Sequence, residues 1–282
     1  MIEEPEAHLH PQLQRVLFGR LLSKGCQIVA TSHSTHISSR ASLKNLLVLT
    51  QKEDTLTTTC KPATVAEIGD SDISDLERYL DATRSVLLFA RRVILVEGMS
   101  EVFLLPSIVK KVMNVDLEEH GISIVPIHGV HFGSYMKLFG DNGIRKKCVV
   151  LTDGDLKPSD ADSGKDDEFP HIEDLKKHEN TFIKVFHCKT TFERAIALPK
   201  NLIMFSKAAE ELGALQVSSD LKDCHGRHTN LNDEEKKQAK DKVLNTAKRF
   251  GKARFAQVTS KYAKDAEGLP SYIKSAIRWI TE

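Results

Sequence analysis

Two short apolar runs that end in carboxylates constrain this chain more than any other feature. Residues 93–97 read VILVE, and residues 148–152 read CVVLT with Asp153 directly after. Neither run alternates apolar with polar residues, so each predicts a strand buried on both faces. A helical pattern at 100–112 follows the first run. SIVPI at 123–127 predicts another strand, 135–139 a short helix, and FIKVFH at 182–187 a fourth strand. Apolar strands separated by helices build βαβ crossovers and a mostly parallel sheet. Sites in such sheets form beyond the carboxyl ends of the strands. Those ends carry Glu97, Gly129 just past its strand, and Asp153.

The residues beside these ends sharpen the chemistry. Glu101 stands four positions after Glu97, with Gly98 between them, and Asp155 follows Asp153 across Gly154. A strand-to-helix turn at Gly98 sets Glu97 and Glu101 on one side of the helix start. Four carboxylates at neighbouring strand ends repel one another unless cations lie between them. An all-oxygen set of this kind favours Mg²⁺ or Mn²⁺ over zinc or copper. ExxxE alone is common on solvated helices and DxD alone is common in loops. The two together, each closing an apolar strand, are far more specific.

The rest of the chain is consistent with a large α/β protein. At 40% hydrophobic and 28% charged it reads as globular, and no apolar run reaches membrane-spanning length. The acidic start MIEEPEAHLHP lacks the layout of a secretory signal, so the expected location is the cytoplasm, with no membrane partner. Five cysteines without a CxxC argue against a disulfide framework or a thiolate zinc site. Cys224, His225 and His228 match no common zinc spacing and read as a polar loop. At the front, 6–24 reads as a helix with Leu13, Val16, Leu17 and Leu21 on one face. QIVAT at 27–31 reads as a strand, 46–50 and 56–60 as a hairpin around a charged turn at 52–54, and 75–91 as a helix. Beyond Thr190 the pattern is helical at 193–197, 206–212, 234–251 and 271–280, with loops at 157–170 and 218–232. Ten acids face four lysines over 153–179, and ten Lys/Arg face one acid over 236–264. That split suits a protein that holds cations and grips phosphates, although solvated surface fits it too. His8, His10, His33 and His36 read as helix-start and loop residues rather than a metal cluster. His128 and His131 flank Gly129 near the expected site.

VILVEGMSE followed by VVLTDGD resembles the Toprim domain shared by topoisomerases, bacterial primases and OLD-family nucleases, and His128-Gly129 resembles the glycine turn of that fold. The first forty residues narrow the resemblance. IEEPEAHLHP, from Ile2 to Pro11, is similar to the end of a Walker B strand with its glutamate and the following loop of ABC-type ATPases. Thr31-Ser32-His33-Ser34 is similar to their switch histidine. An ABC-type ATPase tail running into a Toprim domain resembles the OLD family of ATP-dependent nucleases over essentially the whole chain. The resemblance implies an α/β fold in which a four-stranded Toprim-type parallel sheet is flanked by helices. A partial ABC-ATPase-like segment over 1–91 would precede a Toprim nuclease domain over 92–282 with a helical C-terminal part. Thr191-Phe192-Glu193 resembles a further family motif, which makes Glu193 an extra metal ligand beside Glu97, Glu101, Asp153 and Asp155. Gly251 to Ala256 (GKARFA) resembles a basic motif in which Lys252, with Arg254 beside it, stabilises charge on the transferring phosphate.

The implied activity is two-metal hydrolysis of DNA phosphodiesters, with two Mg²⁺ or Mn²⁺ ions about 3.5–4 Å apart. Asp153 would bridge them, Glu97 and Glu193 would serve one, and Glu101 and Asp155 the other. No GxxxxGK(S/T) loop occurs, so the chain is expected to be a fragment, a truncated product or the partner of an ATPase half. Glu3, Glu4 and His33 would then mark ATPase ancestry without performing it, and ATP would act only in a complemented protein. A homodimer and a helicase-like partner are the expected protein contacts. A topoisomerase or primase-like enzyme is the alternative within the fold, although Tyr79, Tyr135, Tyr262 and Tyr272 lack a recognisable nucleophile context. A non-catalytic dimerisation or docking module is the alternative outside it.

Overall fold

The computed structural model describes residues 1–282 except 26, 52–56, 61–67, 81–83, 129–131, 142 and 162–168. Gly129, His131, the turn at 52–54 and part of the loop at 157–170 therefore lie outside the described residues.

The front of the chain is a small parallel pair. Strand β1 (Ile2–Glu3) pairs with β2 (Ala30–Thr31), joined by helix α1 (Pro11–Leu22). The helix begins five residues later than expected because Pro11 supplies a ready first turn and His10 caps it through Nδ1. It buries Phe18, whereas Leu13 and Val16, read as core positions, are exposed. Only the last two residues of the expected strand 27–31 pair. Helix α2 (Thr35–Ser38) follows, and strands β3 (Val48–Gln51) and β4 (Thr57–Cys60) form the expected antiparallel hairpin. The expected helix at 75–91 is instead α3 (Asp70–Tyr79) and a separate 3₁₀ turn at Arg84–Leu88.

The main sheet is built as the apolar runs predict. Strand β5 (Arg92–Val96) leads into α4 (Met99–Met113), and β6 (Ile122–Pro126) into α5 (Phe132–Met136). Strand β7 (Cys148–Thr152) is followed by α6 (Pro158–Ala161) and α7 (Pro170–Lys176), then β8 (Ile183–His187) and α8 (Phe192–Ile196). The strands lie in the order β6-β5-β7-β8, all parallel. Successive side chains point to opposite faces. Ile94, Val96, Val149 and Leu151 enter one core, and Val93, Leu95, Cys148 and Val150 the other. Leu43, Leu76 and Leu87 from the front of the chain pack into the second core.

Helices α9 (Leu202–Glu211), α10 (Leu215–Gly226), α11 (Asp233–Phe250), α12 (Lys252–Ser260) and α13 (Ser271–Thr281) complete the first core. The loop expected at 218–232 is a helix as far as Gly226. Its sequence is mostly polar, but Leu221 is fully buried and Ser218 pairs with Ser206 of α9, so tertiary packing overrides weak local preference. The expected helix 234–251 ends at Gly251, whose φ of +89° separates α11 from α12 and re-aims the chain.

Gly154 is the tightest point of the sheet edge. A Cβ there would stand 2.5 Å from the Cys188 carbonyl oxygen and 2.6 Å from that of Lys189. Gly154→Ala is expected to cost about 1–3 kcal/mol by overpacking. Gly19→Ala, in open space inside α1, should gain roughly 0.5–1 kcal/mol. Urea denaturation of the two variants checks the contrast, and equal stabilities would contradict it.

Candidate metal centre

The register of β5 against β7 pairs Ile94 with Val149 and Leu95 with Val150. Residues just past the two strands therefore emerge side by side. Strand β6 lies on the other side of β5, so the chain changes direction between β6 and β7. Crevices open at such switch points. Here a cavity of about 350 Å³ is lined by Glu97, Glu101, His128, Asp153, Glu193 and Lys252, with the first residues of α4, α8 and α12 around it.

Each carboxylate arrives from a different element. Glu97 follows β5, Glu101 lies in the first turn of α4, Asp153 follows β7, and Glu193 opens α8. Glu101, Asp153 and Glu193 are buried, at 6%, 6% and 4% exposure. Three of the four have one oxygen tied from behind. Glu97 Oε1 accepts from Thr152 Oγ1 at 2.8 Å and from the Asp153 amide at 2.6 Å. Glu193 Oε1 accepts from Ser100 Oγ at 3.1 Å. Asp153 Oδ1 accepts from the Cys188 thiol at 3.4 Å. Tyr272 of α13 lies near enough to Cys188 for each to influence the other's ionisation. Ser100, Thr152, Cys188 and Tyr272 were not singled out as site residues from the sequence. The first two stand inside GMSE and VLTDGD, where their adjacency to the acids is the available signal.

The electrostatics follow from this crowding. Burial pushes the Glu101 carboxyl up to about 8, and the charges of Glu193 and Glu97 add to it. Burial, then Glu97, Glu101 and Glu193, hold Asp153 well above the usual carboxylate range. Burial works against the Lys252 ammonium, but the neighbouring carboxylates, Glu193 first, outweigh it and raise its pKa. Lys252 Nζ lies 3.1 Å from Glu193 Oε2 as an ion pair, and Oε2 has no aligned hydrogen bond. Among the described residues no three His, Cys, Asp or Glu side chains stand at the spacing of a closed metal cage. The residues nonetheless fit a hard divalent cation. The donors are all carboxylate oxygens, a buried oxygen lacks an aligned donor, and the like charges are ones that a cation would neutralise.

Asp155 and Arg254 do not line this cavity. Asp155 has φ +54° and donates its amide to the Thr190 carbonyl at 3.1 Å, which leaves its side chain exposed. Arg254 lies two residues past Lys252, about 200° around the helix, and is exposed. At the front, Glu3 pairs with Thr31 in the β1–β2 ladder, and His33 Nε2 approaches Glu4 Oε1 at 3.6 Å, both side chains exposed. Glu6, not singled out from the sequence, braces this loop. Its Oε1 accepts from Ser32 Oγ at 2.7 Å and from the His33 amide at 2.8 Å. Cys224, His225 and His228 do not form a loop cluster, since the first two lie in α10.

A four-stranded parallel sheet with acids gathered at its switch point defines a Toprim-type protein. Residues 88–155 match the family described as overcoming lysogenization defect protein-like, TOPRIM domain, and residues 1–38 match an AAA ATPase domain. Over these segments the chain is similar to OLD-family proteins. It is 27% identical over 201 residues to Endonuclease GajA of Bacillus cereus (strain HuB5-5), covering 62% of this chain and 28% of that protein. It is 29% identical over 161 residues to the Old nuclease of Escherichia phage P2, covering 55% of this chain and 27% of that one. The chain thus spans under a third of the length of these relatives. The C-terminal region of the Burkholderia pseudomallei OLD protein matches with a TM-score of 0.51 and 27% identity, over 68% of this chain and 97% of that chain. Among the described residues no helix is long and apolar enough to cross a membrane.

The raised carboxyls have a consequence for stability without metal. Folded Glu101 keeps its proton to about pH 8, while the unfolded chain loses it near its ordinary 4.5. The folded state binds more protons in that window, so stability falls as pH rises through it. In EDTA, the melting temperature should drop between about pH 5 and 8, and Glu101→Gln should flatten part of the drop. An unchanged pH profile in that variant would contradict the assignment.

Proposed function

We propose that this chain is the cutting part of a divalent-metal-dependent DNA endonuclease. One observation carries the reading: four carboxylates from four elements and one lysine surround a single cavity at the sheet's switch point. The names of the endonuclease and nuclease relatives support it. Two ions, Mg²⁺ or Mn²⁺, would supply an activated water and neutralise charge on the scissile phosphodiester.

The chain's own residues set up that chemistry. Asp153, central among the acids, is our candidate for the bridging ligand. Glu97 and Glu193 would hold one ion, and Glu101, with Asp155 after a side-chain reorientation, the other. Thr152 and Ser100 fix one oxygen each of Glu97 and Glu193, which leaves the second oxygen of each for a ligand. Lys252 stays an ammonium and adds positive charge where negative charge builds on the phosphate. Arg254, on a different face of α12, would grip backbone phosphates outside the cavity. We read residues 1–91 as an ATPase-type segment and 92–282 as the nuclease part. ATP would act where a phosphate-binding loop is supplied, with a second copy or a helicase-like protein as partner. A strand-passing reading would need a reactive tyrosine. Tyr272 feels the charge of Asp153 and Glu101, and burial, then Cys188 and Asp153, pushes its phenol far up, which disfavours that role.

Purified chain is expected to nick supercoiled plasmid DNA with Mg²⁺ or Mn²⁺ and to stop in EDTA. Glu97→Ala and Asp153→Ala should each lose at least about 100-fold, the scale of removing one such group from a transition state. Parent-level nicking by either variant would sink the proposal.

A further inference from the structure

Lys252 forms an ion pair with Glu193 at the edge of the cavity. Glu193 is buried, and Ser100 holds its Oε1. The oxygen left to face the cavity is Oε2, the one that Lys252 Nζ contacts at 3.1 Å. Among the residues lining the cavity, Lys252 is the one permanent cation, set against Glu97, Glu101, Asp153 and Glu193. Other lysines of the basic stretch are paired elsewhere: Lys236 with Asp233, Lys242 with Asp220, and Lys261 with Glu211.

Its position on the helix is also informative. Lys252 is the first residue of α12, where the helix dipole repels a cation, and Gly251 offers no side-chain cap. A lysine placed there is stabilised by the carboxylates it faces rather than by its own helix.

Resting on the metal-dependent reading above, we propose that Lys252 is a built-in counterion. In the metal-free protein its ammonium occupies the Glu193 oxygen that a divalent cation would take. Cation binding and the Lys252–Glu193 pair are then mutually exclusive. Binding releases the ammonium into the cavity, where it is free to meet a phosphate. The same lysine thus holds the acid cluster together without metal and becomes available to substrate only once metal has arrived.

Two measurements on the full chain test this. In the first, brief acetylation is read residue by residue by mass spectrometry, with the exposed Lys222 as internal reference. Relative to Lys222, labelling of Lys252 should rise at least about threefold when Mn²⁺ reaches the saturation found by calorimetric titration. In the second, Lys252→Met should bind Mn²⁺ about fivefold more tightly, the affinity equivalent of one half-exposed ion pair. Lys252→Arg should bind like the parent, and Lys222→Met should be unchanged. If Mn²⁺ binds but Lys252 labelling does not rise, or if Lys252→Met binds no more tightly, the counterion role is overturned and the metal site stands. If the parent binds no Mn²⁺, the metal reading itself falls, and the counterion role with it.

Discussion

Mutual repulsion among four carboxylates is the constraint around which this structure is organised. Glu97, Glu101, Asp153 and Glu193 are drawn to one crevice because parallel pairing of β5, β7 and β8 ends their strands at one edge. Burial then magnifies the repulsion that water would screen. The raised carboxyls of Glu101 and Asp153 are its signature. The surrounding devices act against it. Thr152, the Asp153 amide, Ser100 and Cys188 each donate to an acid, and Lys252 brings a compensating charge.

The scaffold has to hold that arrangement rigid. Two apolar cores, one on each face of the sheet, supply the stiffness. Helices α4, α8 and α12 all begin at the crevice, so their first residues carry Glu101, Glu193 and Lys252 into it. Buried Arg194, beside Glu193, bonds Asp241 at 2.7 Å and so ties α8 to α11. That tie links the position of one acid to the long basic helix. The Cys188 thiol donates to Asp153 from the far end of β8, and Tyr272 of α13 stands near that thiol.

Much of this was readable from residues alone, and the misses share a cause. The strands of the main sheet fell within a residue or so of their expected bounds, because a doubly buried strand needs an uninterrupted apolar run. Glu97 and Asp153 followed from those bounds. Gly226 ends a helix that the polar run beginning at Ser218 did not suggest, since its helicity depends on Leu221 meeting a core built mainly by other elements. At the front, Leu13 and Val16 carry an apolar pattern that α1 does not bury, while neighbouring Phe18 is buried. Asp155 matched the spacing of a ligand, yet its left-handed backbone turns it outward.

By itself the sequence determined the parallel sheet, the order of its acids and their placement at strand ends, because hydrophobic burial and side-chain alternation are local properties of a run of residues. It also carried the resemblance to OLD proteins and to an ATPase-type segment at the front. Only the tertiary structure decided which oxygens are tied and which face the cavity. It also decided that Asp155 and Arg254 stand aside and that Lys252 rests on Glu193. Those are contacts between residues up to 93 positions apart, as Ser100 and Glu193 are, and their geometry is set by packing that no single segment encodes.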